Sequence, residues 1–383
     1  MPLASFAFFR HHCRDISSGT LMISGKLVLA DGTVWKGELF GATGVTDGEV
    51  VFTTGMTGYE QSLTDPSFQG QVIVFTYPMI GNYGVMPEER DEYGILKYFE
   101  SDRIAVRGVV VNEYSESFSH FRGQQSFASW LAEKGMVGIS GIDTRALTEH
   151  LRDNGSMLGQ ILPEDEPIRD FSDVEDPNKK NLVAEVSTPV KKIYTPPHKK
   201  KTIAMFDFGV KNNILRAFLS RDIEIIQLPW NSDLSALTET IDGVFFSNGP
   251  GDPEVVAPVV KKSVEYALEN KIPFWGICLG NQILALAVGG KTKKMKYGHR
   301  GVNKPCRNTE TGECVITSQN HGYMVDYSCL PEGWKMLWEN LNDGSCEGIR
   351  HISLPAYSVQ FHPEACPGPE DSAVFFDRFI EQL

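Results

Sequence analysis

Along this chain the rhythm of apolar and polar positions changes near residue 200. From Ile23, "KLVLADGTVWKGELFG" predicts two strands joined by a hairpin turn at Asp31-Gly32. Further short strands are predicted at "EVVFTT", "QVIVFTYP" and "IAVRGVVVNEY". Helical spacing follows in "QQSFASWLAEKG" and "DTRALTEHLRDNG", the latter capped by Asp143 and stopped at Gly155. Residues 23–186 therefore read as a mixed, β-rich α/β domain with its own core. Within it, the acidic, aperiodic stretch "PEDEPIRDFSDVEDPNKKN" is expected to be a surface loop. The next segment, "STPVKKIYTPPHKKK" (187–201), combines prolines with lysines and is expected to be a solvated linker.

From Thr202 strands alternate with helices. "TIAMFDFG", "IEIIQLPW", "IDGVFF" and "IPFWGIC" read as strands. "VKNNILRAFLSRD", "VVAPVVKKSVEYALENK" and "LGNQILALAVGG" read as helices. That alternation predicts an α/β domain over 202–383, an open, mostly parallel sheet with helices on both faces. Sites in such folds lie beyond the carboxyl ends of the strands.

Composition narrows the function. A net charge of −13 argues against a nucleic-acid partner, which calls for a basic face. No apolar run approaches the ~20 residues of a membrane span, so no membrane association is expected. The seven cysteines are odd in number and form no CxxC pair, which points away from a disulfide framework and towards a reducing, cytoplasmic compartment. No Cys/His cluster has metal-site spacing, so no metal is expected. Residues 1–22 carry one acid among basic and hydroxyl residues. They read as an extension with at most a weak organellar targeting character.

The candidate chemistry lies at Gly276-Ile277-Cys278-Leu279-Gly280, between a predicted strand and a predicted helix. This order has the logic of a nucleophile elbow with sulfur in place of oxygen. Glycines two residues to either side let strand and helix approach, the helix terminus favours thiolate, and the Leu279 amide faces a developing oxyanion. The competing reading is a cysteine that merely packs in the sheet. A base decides between them. "YSVQFHPE" delivers His362 at the end of a strand, with Glu364 two residues on and, in an extended segment, on the same side.

"GICLGNQ" together with "HPE" resembles the class I (triad) glutamine amidotransferases. "FTTGMTGYEQSLTDPSF", "TYPMIGNYG", "GIDTRALTEHLRDNG", "FDFGVKNNILR", "SNGPGDP" and "TSQNHGY" resemble, more narrowly, the carbamoyl phosphate synthetase small-subunit family, from about Ile23 to the C-terminus. The resemblance implies Cys278 as nucleophile, His362 as base and then acid, and Glu364 as its orienter. It implies that L-glutamine is held by Ser67, Gly249, Gly251, Leu279, Gln282, Asn320, Gly322 and Tyr323. Many members carry Phe at position 323 and Gly at position 361. The tyrosine is expected to matter little if only backbone touches glutamine, and Phe361 is expected to change packing beside the triad.

The activity so implied is the glutaminase step of a glutamine-dependent carbamoyl phosphate synthase, a ligase serving arginine and pyrimidine synthesis. A large synthetase subunit would receive the ammonia and bind ATP with a divalent cation. This chain has no G-x-x-x-x-G-K-[ST] loop and is expected to hold no cofactor. The alternatives are a free-standing cysteine hydrolase of γ-glutamyl amides and a catalytically dead regulatory homologue.

Overall fold

The computed structural model describes residues 23–383, so the extension at residues 1–22 lies outside the described residues. Seven strands close a barrel. Their order is Ile23–Leu29, Val34–Gly41, Val137–Ser140, Gly108–Val110, Gln71–Phe75, Thr46–Thr53 and Met157–Pro163, the last returning to the first. At the expected hairpin, Asp31 Oδ1 accepts from both the amide (2.9 Å) and the hydroxyl (2.8 Å) of Thr33. Leu27, Val50, Val74, Val110 and Ile161 share one core with Leu147 and Leu151 of the helix Thr144–Asn154. As expected, Asp143 caps that helix by accepting from Ala146 N.

The second sheet has ten strands. Ile223–Pro229, Lys201–Asp207, Gly243–Phe246, Phe274–Ile277 and Ala356–Val359 lie side by side and parallel. Cys346–His351, Cys314–Asp326, Lys291–Asn308 and Trp334–Asn340 extend it as antiparallel strands. The parallel strands are largely apolar because both faces are buried. In Lys201–Asp207, Ala204 and Phe206 pack with the helices Pro253–Glu269 and Leu279–Ala287. Ile203 and Met205 pack on the other face with Asn212–Leu219 and Val374–Ile380. The segment expected to be a linker contains a strand, Lys192–Tyr194, paired antiparallel to the outer parallel strand. An edge strand needs only one ladder and tolerates prolines beside it, which explains its linker-like composition.

Barrel and sheet meet through polar contacts. Glu100 binds Arg216 (2.8 Å), Glu49 binds Lys294 (2.9 Å), and Thr54 N donates to Arg300 O (3.2 Å). These bonds carry the barrel segment 54–68 to the carboxyl ends of the parallel strands.

Candidate active site

Cys278 occupies the turn between the strand Phe274–Ile277 and the helix Leu279–Ala287, with φ 55° and ψ −103°. A non-glycine residue there costs about 1–3 kcal/mol and persists only when its surroundings enforce it. The glycines supply the enforcement. A Cβ on Gly280 would stand 2.3 Å from Phe246 O, and one on Gly276 would stand 2.7 Å from the Gly280 carbonyl carbon. Cys278 N donates to Val359 O (2.8 Å) and Gly280 N to Ser247 O (3.1 Å). Among the described residues the Leu279 amide between them takes no such partner and stays available to an oxyanion.

The strand paired with the elbow strand, Ala356–Val359, leads directly to His362. His362 Nδ1 and Glu364 Oε1 are 2.6 Å apart, and both side chains are buried. The pair does not form along an extended segment, as the spacing suggested. Pro363 and Glu364 make a turn closed by Ala365 N donating to His362 O (3.1 Å). Proline fixes φ at a turn-compatible value, so the chain bends and folds the carboxylate back. With Nδ1 so engaged, Nε2 is left buried and without a well-formed hydrogen bond. Burial works against the imidazolium, but the charges of Glu364 and Cys278 outweigh it and raise the His362 pKa to about 10. Burial likewise opposes the Glu364 carboxylate, yet Lys211 and His362 bring it down to about 2.

Lys211 escaped the sequence reading. Its ammonium is 3.1 Å from Glu364 Oε1 and donates to Ala365 O (2.5 Å). Burial disfavours that charge, but Glu364, Glu100 and Asp65 overcome it and raise its pKa. A lysine opening a helix after a strand ordinarily reads as surface, although this one stands inside the quoted stretch "FDFGVKNNILR".

One narrow cleft brings Cys278 together with Ser67, Gly249, Gly251, Gln282, Asn320, Gly322 and Tyr323. Leu279 does not line it with its side chain, which packs within 2.9 Å of where a Cβ on Gly249 would be. Ser67 comes from the barrel and meets the sheet through Asn248 Nδ2, which donates to Ser67 Oγ (2.9 Å). Asn320 Nδ2 donates to Asp65 Oδ2 (3.0 Å), and the Cys278 thiol donates to Asn320 O (3.6 Å). Gln282 is more constrained than expected of a ligand-facing amide, since its Nε2 donates to Tyr323 O (2.9 Å) and Gln360 Oε1 (3.0 Å). Asp65, Asn248 and Gln360 were not anticipated. Their short polar side chains carry no sequence signal for a role set by contacts across the fold.

Tyr323 does more than lend backbone. Its hydroxyl donates to Asp252 Oδ2 (3.2 Å), so it ties the strand bearing Asn320 to the cap of the helix Pro253–Glu269. Phe361, next to His362 in the chain, is fully buried against Trp338 and Phe375. Behind the cleft, His299, His321 and Glu347 converge. His299 Nε2 pairs with Asp343 (2.9 Å), His321 Nδ1 with Tyr323 O (2.9 Å), and Asn340 Nδ2 donates to Glu347 Oε1 (2.9 Å). The arrangement is a hydrogen-bond network supporting the strand of Asn320 and Tyr323.

Residues 27–161 match the family model for the carbamoyl-phosphate synthase small chain, CPSase domain, and residues 204–382 match that for the class-I glutamine amidotransferases. The chain is 48% identical over 356 residues to the carbamoyl phosphate synthase arginine-specific small chain of Neurospora crassa, covering 93% of this chain and 79% of the relative. It is 47% identical over 385 residues to the multifunctional protein ura1 of Schizosaccharomyces pombe, covering 93% of this chain and 17% of that protein.

Proposed function

The chain belongs to the carbamoyl phosphate synthase small-chain family, and we propose that it performs that family's glutamine hydrolysis through Cys278, His362 and Glu364. It is the glutaminase subunit of a glutamine-dependent carbamoyl phosphate synthase. The observation that carries the site reading is the elbow itself: a strained Cys278 beside a buried His362–Glu364 pair, in a cleft closed by Ser67 from the other domain.

In this reading the Cys278 thiolate attacks the side-chain amide carbon of glutamine, and the Leu279 amide receives the oxyanion. His362 gives its Nε2 proton to the leaving nitrogen, and ammonia departs. The same imidazole then takes a proton from water, which adds to the glutamyl thioester and releases glutamate. Glu364 keeps Nδ1 protonated and Nε2 facing the reaction throughout.

The partner is a large synthetase subunit that takes the ammonia and joins it to bicarbonate. ATP and a divalent cation are assigned to that partner, because this chain has no phosphate-binding loop of the G-x-x-x-x-G-K-[ST] type. The product stands ahead of arginine and pyrimidine synthesis, and the arginine-specific name of the Neurospora crassa relative favours the first. Among the described residues no helix is long and apolar enough to cross a membrane. The scattered, odd cysteine count supports a cytoplasmic location. A free-standing γ-glutamyl hydrolase would leave the match over residues 27–161 without a role.

The reading is tested by titrating the large subunit into a glutaminase assay at saturating glutamine. The cleft draws on both domains, so a partner that fixes their relation should raise the rate. A rate that stays flat across the titration would count against a partner-dependent glutaminase.

A further inference from the structure

Arg300 lies on the strand Lys291–Asn308, paired across the ladder with Asn320, whose carbonyl accepts the Cys278 thiol. Its side chain is buried, at 5% exposure, and lines the same cleft as Cys278, Ser67 and Gln282. Nη1 donates to Tyr297 O (2.7 Å), while Nε is buried with no partner. Nη2 lies 3.3 Å from where a Cβ on Gly322 would stand, so the guanidinium rests against a glycine of the cleft wall.

A buried guanidinium is normally matched by a carboxylate. Among the described residues Arg300 forms no ion pair. Two groups bear on it through their charge, Glu49 and the Cys278 sulfur, and Glu49, the one carboxylate of the two, is committed to Lys294 (2.9 Å), Gln71 (2.9 Å) and Asn178 (3.1 Å). A cation left unmatched inside a substrate cleft calls for an anion on the substrate. Glutamine has one anionic group, its α-carboxylate, and with the amide at Cys278 that group occupies the other end of the molecule. A guanidinium fork fits a planar carboxylate better than an ammonium does.

We propose that Arg300 binds the α-carboxylate of glutamine and makes the site select free amino acid over neutral γ-amides. This rests on the glutaminase reading above and adds the residue that reads the substrate's charged end. Gly322 then has a physical reason, because a side chain there would crowd Nη2.

The test compares L-glutamine with L-glutaminamide, in which the α-carboxylate is a neutral amide, using the full chain with its large subunit. The wild-type protein should favour glutamine in kcat/KM by about 10²-fold or more, since a site built for a charged group leaves it unpaired with the analogue. Arg300→Gln should bring the two substrates to within a few-fold, mainly by raising KM for glutamine. Arg300→Lys should fall between and carries the same comparison if Arg300→Gln does not fold. An undiminished preference in the variants would overturn the proposal. So would equal falls in kcat on both substrates, which would place the guanidinium's action at the sulfur or oxyanion. Absence of any glutamine turnover in the wild-type complex would instead reject the glutaminase reading, and the proposal with it.

Discussion

Lys211 Nζ stands 3.1 Å from Glu364 Oε1, the oxygen that also binds His362 Nδ1 at 2.6 Å. The catalytic pair is thus a buried chain of alternating charge: ammonium, carboxylate, imidazolium. Lys211→Met removes one end and leaves a buried carboxylate with a single partner. Breaking a buried pair in this way costs about 3–5 kcal/mol. Denaturant unfolding should show a loss of that size, and glutamine turnover should fall by up to ~10²-fold as the imidazole loses its fixed position. Wild-type stability and turnover in the variant would show that Lys211 is a bystander.

The same chain of charges sets a pH dependence. The folded His362 pKa of about 10 lies above its ordinary value of 6.5, so its stabilising contribution is complete below about pH 6.5 and is lost as the pH rises towards 10. The folded Glu364 pKa of about 2 lies below its ordinary 4.5, so its contribution is present above pH 4.5 and lost as the pH falls towards 2. Glu364→Gln should flatten both limbs of the wild-type stability profile, with the largest difference between pH 4.5 and 6.5. Parallel profiles for the two proteins would contradict the pairing.

His362→Asn should damage glutamine turnover more than Glu364→Gln, because the histidine moves protons and the glutamate orients it. Proton transfer by a positioned group contributes roughly 10²–10⁴-fold. Single-turnover thioester formation measures this directly, and a greater loss from Glu364→Gln would reverse the roles.

Gly280→Ala tests the elbow. The added methyl would meet Phe246 O at 2.3 Å, a backbone atom in a parallel strand with little room to move. Overpacking of this kind costs about 1–3 kcal/mol, and here it also displaces the Cys278 turn. The variant should unfold at lower denaturant and label more slowly with a glutamine-like electrophile. Labelling at the wild-type rate would mean that the elbow does not depend on its glycines.

How much of this was legible in the sequence follows from distance along the chain. The elbow was readable because Gly276, Cys278 and Gly280 are local, and their spacing fixes the strand–helix approach. His362 and Glu364 were readable as a pair, although the turn at Pro363 joins them rather than an extended strand. Lys211 and Arg300 were not, because charged side chains default to solvent and only the fold supplies what buries them. The antiparallel strands over 291–351 also escaped. "KTKKMKYGHRGVNKPCRN" is polar along much of its length, and it holds its place by pairing along the ladder with Cys314–Asp326 rather than by an apolar face.

The most direct test of the central claim is carbamoyl phosphate synthesis by the complex carrying Cys278→Ala, with glutamine and with ammonia as alternative nitrogen donors. Cys278 is assigned to the amide alone, upstream of every ATP-dependent step. Glutamine-dependent synthesis should therefore vanish, while ammonia-dependent synthesis continues at the wild-type rate. Glutamine-dependent synthesis that survives the substitution would contradict the account.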